Sequence, residues 1–245
     1  MASLTSFSDG GGAAIIGAGG AIGAALARAV VDSERFEVVH ALSRSASPIA
    51  GAWACEIDLG DDDSIARAAG RLAEGPPLRL LIVATGILQG PDFQPEKSIR
   101  QLDREAMLKV LAVNTVGPAM LARRFLPLVP RQGRSVLAAL SARVGSIGDN
   151  RLGGWHSYRA SKAALNMVWR NLAIELGRTH PGAVCATLHP GTVDSDLSKP
   201  FQAGVAPEKL FTPAYSAERL LSVLDGLSPA DSGGAYAWDG QAVPW

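Results

Sequence analysis

The sequence predicts an α/β fold of the doubly wound kind, a parallel seven-stranded sheet with helices on both faces. Three observations predict it. Short apolar runs alternate with longer helical patterns, the strand runs are continuously apolar, and a glycine-rich turn joins the first run to the first helical pattern. Strands that alternate with helices imply right-handed crossovers and a parallel sheet. Helices cover such a sheet on both faces, so its strands lose the polar/apolar alternation of half-buried ones. The chain has 245 residues, 47% of them hydrophobic, which suits one domain with a large core.

Taken in order, the elements justify themselves by what they join. Residues 13–17 form a first strand, ending in the glycine-rich turn that opens a helix over 21–32. A second strand over 37–42 ends at Leu42-Ser43-Arg44-Ser45, and a third over 53–57 is followed by Asp58 and Leu59. A helix over 61–73 then leads to a fourth strand, 78–84. A long helix is expected over 104–128 and a fifth strand over 135–140. The helix over 157–179 carries an apolar stripe of Leu165, Trp169, Leu172 and Leu176. Strands over 183–189 and 235–238 flank a last helix over 216–226. Residues 1–12 have neither a basic start nor an apolar core, so a loose tail is expected rather than a signal peptide. Residues 13–245 then form one domain.

Bulk properties exclude several classes. Lys+Arg and Asp+Glu balance at 23 each, so no basic surface suggests nucleic acid. Cys55 and Cys185 lie far apart in apolar runs, and four scattered histidines make no zinc pattern. No stretch reaches the roughly 18 apolar residues of a membrane span. A soluble cytoplasmic protein is expected.

Chemistry enters through Tyr158 and Lys162, four apart on one face of the 157–179 helix. An ammonium beside a phenol favours the phenolate. A tyrosine tuned in that way can exchange a proton with a carbonyl oxygen. The alternative is a core tyrosine with a lysine that snorkels to solvent. The turn Gly17-Ala18-Gly19-Gly20-Ala21-Ile22-Gly23 lets backbone approach a pyrophosphate at a helix N-terminus. A dinucleotide fits this logic; no Gly-Lys-Ser/Thr ending points to a triphosphate. An NAD site usually places Asp or Glu after the second strand. Here Ser43 and Arg44 stand there, and arginine suits a 2′-phosphate, so NADP(H) is favoured over NAD(H). Asp58 either accepts from an adenine amine or caps the following helix.

In order and spacing, Gly17 to Gly23, Asp58, Ala84-Thr85-Gly86, Asn114, Ser141, Tyr158-x-x-x-Lys162 and Pro190-Gly191-Thr192-Val193 resemble the short-chain dehydrogenase/reductase family over nearly the whole chain. A closer similarity is to its C-factor-like branch. It is carried by Ser141-Ala142-Arg143-Val144-Gly145-Ser146-Ile147, Gly153-Gly154-Trp155, Tyr158-Arg159-Ala160-Ser161-Lys162 and the ending Trp238-Asp239-Gly240-Gln241-Ala242-Val243-Pro244-Trp245. The chain departs from the family at Ala21, where a glycine is usual. It departs again at Val83-Ala84-Thr85-Gly86, which replaces an Asn-Asn-Ala-Gly stretch.

The resemblance implies a Rossmann-type fold and an oxidoreductase. Tyr158 would be general acid in reduction and base in oxidation. Lys162 would lower its pKa and hold the nicotinamide ribose. Ser141, with Ser146 as rival, would hydrogen-bond the reacting carbonyl. Asn114 would hold a proton-relaying water. Gly17, Gly19, Ala21, Ile22, Gly23, Ser43, Arg44, Asp58, Leu59, Ala84, Thr85, Gly86, Pro190, Gly191, Val193 and Ser195 would line the cofactor site. The substrate would be a small carbonyl or alcohol; Leu88, Trp155, His156 and a loop at about 194–213 would shape its pocket. A homodimer or homotetramer through the two long helices is implied. The alternative is a dinucleotide-binding sensor or signalling protein of the same fold. A methyl-transferring enzyme would have no use for the Tyr–Lys pair.

Overall fold

A computed structural model describes residues 4–245. The sheet contains β1 (Gly12–Ile16), β2 (Val38–Ser43), β3 (Trp53–Glu56), β4 (Leu78–Val83), β5 (Ser135–Leu140), β6 (Ala183–His189) and, after a small second sheet, a last strand Ala235–Ala237. The spatial order is β3-β2-β1-β4-β5-β6 and then the last strand, with every pairing parallel. The order reverses between β1 and β4, the place where open α/β sheets bind ligands.

Successive strand residues point to opposite faces, and two cores follow. Ile15, Leu80, Ile82 and Val136 face α1 (Ala21–Asp32) and a C-terminal helix, Pro213–Gly226. Ile16, Leu81, Val83 and Leu137 face α2 (Asp62–Ala73), the 104–128 region and the helix His156–Gly177. The stripe Leu165, Trp169, Leu172 and Leu176 is buried on this second face, as its spacing predicts.

Three expectations need correction. The continuous helix over 104–128 is interrupted. It runs as α3 (Arg104–Leu111), a π turn Ala112–Val116, α4 (Gly117–Phe125) and a 3-10 turn Leu126–Leu128. The bulge brings Gly117 against the loop after β3, where a Cβ would stand 2.8 Å from Leu59 Cβ. The His156–Gly177 helix is then α5 and the Pro213–Gly226 helix α6. The 194–213 loop is partly regular. Its ends are tied by β7 (Thr192–Val193) and β8 (Leu210–Phe211), a two-stranded parallel sheet, with 3-10 turns at Lys199–Gly204 and Pro207–Lys209 between them. The last strand of the main sheet is β9.

The N-terminal segment is the third correction. Its first three residues lie outside the described ones, but from Leu4 onward it is docked. Leu4 and Phe7 are buried. Phe7 packs edge-on to Phe36 at 5.2 Å between ring centroids, with the Arg134 guanidinium 5.2 Å above its own ring. The Thr5 and Ser6 backbone N–H groups donate to the Asp225 carboxylate at 3.1 and 2.9 Å. Burial opposes ionisation of Asp225, but the donors from Ser6 and Thr5 outweigh it and hold the carboxyl below its usual range. Two aromatic or aliphatic side chains in a polar stretch are a weak sequence signal, and their partners lie far along the chain.

Phe7→Ala is expected to destabilise the protein by about 3–5 kcal/mol, the range for a buried phenylalanine. Urea unfolding measures this. A change within about 0.5 kcal/mol, typical of surface sites, would restore the loose tail.

Candidate active site

Parallel register brings the carboxyl ends of β1 to β6 to one edge of the sheet. A cavity of about 670 Å³ lies there, lined by Gly17, Gly19, Gly20, Ser43, Arg44, Ser45, Asp58, Leu59, Gly60, Ala84, Thr85, Gly86, Ile87 and Val113 among others. Gly17 adopts φ +88°, and a Cβ on it would stand 3.0 Å from the Ala84 carbonyl group. At Gly23 a Cβ would be 2.1 Å from the Gly17 oxygen. Neither position admits a side chain without rebuilding the turn. Ala21, by contrast, is the first residue of α1, is exposed, and is not among the positive-φ residues, so the methyl group is accommodated.

Polar groups ring this cradle. Arg44 is exposed and has no acidic partner among the described residues. Asp58 Oδ1 accepts from the Gly60 N–H at 2.8 Å, whereas Asp61 caps α2 by accepting from the Asp63 N–H at 2.9 Å. The cap alternative for Asp58 therefore falls to Asp61. The Thr85 hydroxyl is buried without a protein partner. A glycine-floored cavity with a helix N-terminus, a free guanidinium and unpartnered hydroxyl fits a dinucleotide.

Next to the Gly86 wall of the cavity lies α5. Tyr158 and Lys162 are buried one turn apart. Lys162 Nζ donates to the Leu140 carbonyl at 2.8 Å, where β5 ends, and stands 5.7 Å from the Tyr158 ring centroid. A Cβ on Gly86 would lie 3.4 Å from Lys162 Nζ and 3.5 Å from Asn114 Oδ1, so these three residues converge. Gly145 is tighter, with a Cβ there 2.8 Å from Lys162 Cβ. Burial pushes the Tyr158 phenol up to about 12 and the Lys162 ammonium down to about 8. The expected lowering of the phenol by its lysine is not the dominant effect in this geometry; removal from water is.

Asn114 sits in the π turn, fully buried. Its Oδ1 accepts from the Ile87 N–H at 2.8 Å; its Nδ2 donates to the Ile87 carbonyl at 2.8 Å and to Ser161 Oγ at 3.0 Å. Ser161 Oγ donates onward to the Tyr158 carbonyl at 2.8 Å. Such turns recur at functional sites because they re-aim one side chain. Ser141 follows β5 directly, its N–H donating to the Leu188 carbonyl at 2.8 Å, and its hydroxyl is buried without a partner. Ser146 instead accepts from the Asp149 N–H at 3.1 Å within a turn. Ser141 Oγ has no protein partner, whereas Ser146 Oγ already accepts one hydrogen bond and keeps its O–H proton to donate.

Pro190, Gly191, Val193 and Ser195 lie past the end of β6 and do not line the cradle. Gly191 takes φ +79°, with Phe211 and Trp238 packed where a side chain would go. The Val193 carbonyl accepts from the Ser195 and Ser198 hydroxyls at 3.2 and 2.5 Å, so Ser195 shapes its own turn. Sequence reading missed Ser161, whose signal was only its place one residue before Lys162. It missed Ser45, Gly60 and Val113 at the cavity wall, and it missed Glu96. That residue lies in a polar loop, yet it is buried and its carboxylate accepts from the Ser157 N–H at 3.2 Å and from the Ser157 hydroxyl. His189, at the end of β6, is driven down to about 4 by burial and then by Arg143, against an opposing pull from Asp239. It is a neutral imidazole at pH 7.

Fold and site define a dinucleotide-dependent oxidoreductase, and comparison with known proteins agrees. The family model for short chain dehydrogenase matches residues 12–206, and the chain belongs to that family, as an NAD(P)-dependent enzyme close to the C-factor branch. It is 33% identical over 190 residues to 1-hydroxy-2-glutathionyl-2-methyl-3-butene dehydrogenase of Rhodococcus sp. (strain AD45), covering 77% of this chain and 78% of that one. It is 33% identical over 148 residues to the C-signal protein of Myxococcus xanthus, covering 60% of this chain and 84% of that one. The NADPH-bound carbonyl reductase from chicken fatty liver superposes with a TM-score of 0.84 at 28% identity, over 97% of this chain and 100% of that one.

The two buried groups give a pH signature. Lys162 titrates near 8 when folded, below its ordinary 10.5. Between those values the unfolded chain binds more protons, so stability rises with pH across that window. Tyr158 runs the other way: at about 12 folded against 10 unfolded, it lowers stability as pH rises from 10 to 12. Lys162→Met is expected to abolish the first slope alone. Melting temperatures of variant and wild type from pH 7.5 to 10 check this; parallel curves would show that Lys162 is not desolvated.

Proposed function

We propose that this protein is an NADP-preferring oxidoreductase that interconverts a small carbonyl compound and its alcohol. One observation carries the reading: Gly86, at the wall of a glycine cradle that has Arg44 on its rim, lies in contact range of Lys162 Nζ, which is bonded to Leu140 beside Ser141 and sits one turn from Tyr158. The bound nicotinamide would supply the hydride in reduction and accept it in oxidation. The chain's own groups manage position and protons. Ser141 Oγ donates to the substrate carbonyl oxygen and stabilises its developing charge. Tyr158 delivers its phenolic proton to that oxygen as the carbon is reduced, and reclaims it in the reverse direction. Lys162 releases the Leu140 carbonyl to meet the cofactor's ribose hydroxyls, bringing its charge nearer the phenolate that forms. Asn114, fixed by Ile87 and Ser161 and close to Lys162 at Gly86, would hold a water that relays protons to that lysine.

Arg44 would pair with a 2′-phosphate, and the absence of any competing carboxylate among the described residues supports that. Cofactor contacts from Pro190, Gly191, Val193 and Ser195 would come from the turn after β6. The segment 194–213 would cover the substrate. It is anchored on one side by Phe201 against Trp155 at 5.0 Å and on the other by Phe211 against Trp238 at 4.6 Å. A sensor would not need Ser141, Tyr158 and Lys162 together. The exposed apolar residues Leu108, Val116, Met167 and Ile174 on α3, the π turn and α5 support a homodimer or homotetramer through these helices. No described helix is long and apolar enough to cross a membrane, and the free, buried Cys55 and Cys185 suit a reducing cytoplasm.

Against a panel of ketones, aldehydes and quinones with NADPH, Tyr158→Phe is expected to abolish turnover while NADPH still binds. Near wild-type turnover on every active substrate would remove Tyr158 as the proton donor. Arg44→Ala is expected to weaken NADPH alone, by about 10- to 150-fold for the loss of a charge-assisted contact of roughly 1.5–3 kcal/mol. Cofactor titration decides this, and equal affinity of the wild type for NADH and NADPH would contradict it.

A further inference from the structure

The first turn of α5 is built in a way its sequence does not supply. A helix start leaves backbone N–H groups without intrahelical partners, and Ser, Thr, Asp or Asn normally caps them. Here the cap position is Trp155, which has no capping side chain and stands in the left-handed region at φ 50°, ψ 43°. A bulky residue held there is strained and persists only where its surroundings over-determine it. Gly153 and Gly154 before it also have positive φ, 62° and 65°.

Glu96 is the surrounding that determines it. Its carbonyl accepts from the Trp155 N–H at 2.5 Å, and its carboxylate takes both the N–H and the hydroxyl of Ser157. One residue, 61 positions away in sequence, thus grips the chain on both sides of the helix start. Gly154 is glycine partly because a Cβ would come 3.3 Å from the Glu96 carbonyl oxygen. A carboxylate is also the favoured charge at a helix N-terminus. The consequence reaches the site: the Trp155 ring stands edge-on to Tyr158 at 6.2 Å and against Phe201 at 5.0 Å, and Tyr158 follows Ser157 directly.

We propose that Glu96 is a positioning residue for the reaction. By capping α5 from the loop after β4 it holds Trp155 in its left-handed conformation and fixes the direction of Tyr158. It touches neither cofactor nor substrate, and the inference rests on the role of Tyr158 proposed above. Two readouts keep the claims separate. In hydrogen exchange of the full-length protein, Glu96→Ala is expected to speed exchange over residues 154–162 about tenfold or more, the size set by losing a buried charge-assisted bond. Exchange in β4, β5 and β6 should not change. Glu96→Gln keeps an oxygen acceptor for Ser157 and should recover most of the protection. In turnover with NADPH and a reactive carbonyl from the panel, Glu96→Ala is expected to lower kcat roughly 10- to 100-fold, as misplacement of a reacting group does. KM for NADPH should stay within about twofold, and Glu96→Gln should restore much of kcat.

Wild-type exchange over 154–162 in Glu96→Ala overturns the proposal, and so does faster exchange there with undiminished kcat. A loss of kcat that only follows the folded fraction, and that Glu96→Gln does not recover, overturns it too. A wild type that reduces no carbonyl refutes the enzymatic reading, while the exchange arm still decides the cap. Should Glu96→Ala not fold, Ser157→Ala removes a donor from the other side. It is expected to speed exchange over 154–162, and wild-type exchange in it would count against Glu96.

Discussion

The hydrogen bond from Lys162 Nζ to the Leu140 carbonyl is the contact on which the rest of the structure depends. It takes a primary amine out of water and seats it where β5 ends and α5 passes. Such burial is costly unless the amine is bonded, and the surroundings are arranged around it. Gly145 lacks a side chain where a Cβ would press on Lys162 at 2.8 Å, and Gly86 borders the lysine amine. The π turn delivers Asn114 to the same point, and Ser161 ties that turn to the Tyr158 carbonyl. A lysine in a core has little value for stability.

The sheet then decides what that charge can be used on. Because all pairings are parallel, the strands end together, and the residues just beyond them share one edge: Gly17, Ser43, Asp58, Ala84, Ser141 and Pro190. A ligand lying along this edge from Arg44 towards Tyr158 would meet several separate chain segments. None of the segments forms a site alone. Their register is held by the two apolar layers on either face of the sheet, so packing far from the chemistry sets its geometry.

Much of this was legible in the sequence, for physical reasons. Buried parallel strands are continuous apolar runs, so the strands appear within a residue or two of their places. The Tyr158 to Lys162 spacing is one helical turn, and the glycine loop is a backbone requirement written directly in residue type. What escaped was tertiary. Val113, Asn114, Thr115, Gly117 and Pro118 are weak helix formers, but they do not by themselves specify a π turn at Ala112–Val116; it comes from fitting Asn114 and Gly117 against neighbours. The docking of Leu4 and Phe7 depends on Phe36 and Arg134. Glu96 reads as a solvated loop residue, because its partner Ser157 is distant in sequence. The depressed phenol failed for a different reason: the spacing of Tyr158 and Lys162 shows adjacency, whereas burial outweighs charge in setting both groups.

The central claim is that the cradle and the buried Tyr–Lys pair form one site. A crystal structure of the protein with NADPH tests it most directly. The account predicts the 2′-phosphate against Arg44 and the pyrophosphate over the Gly17–Gly23 turn. It also predicts Lys162 Nζ moved from the Leu140 carbonyl to the nicotinamide ribose, and the nicotinamide ring beside Tyr158 and Ser141. NADPH bound elsewhere, or bound in the cradle with its nicotinamide away from Tyr158, would contradict it.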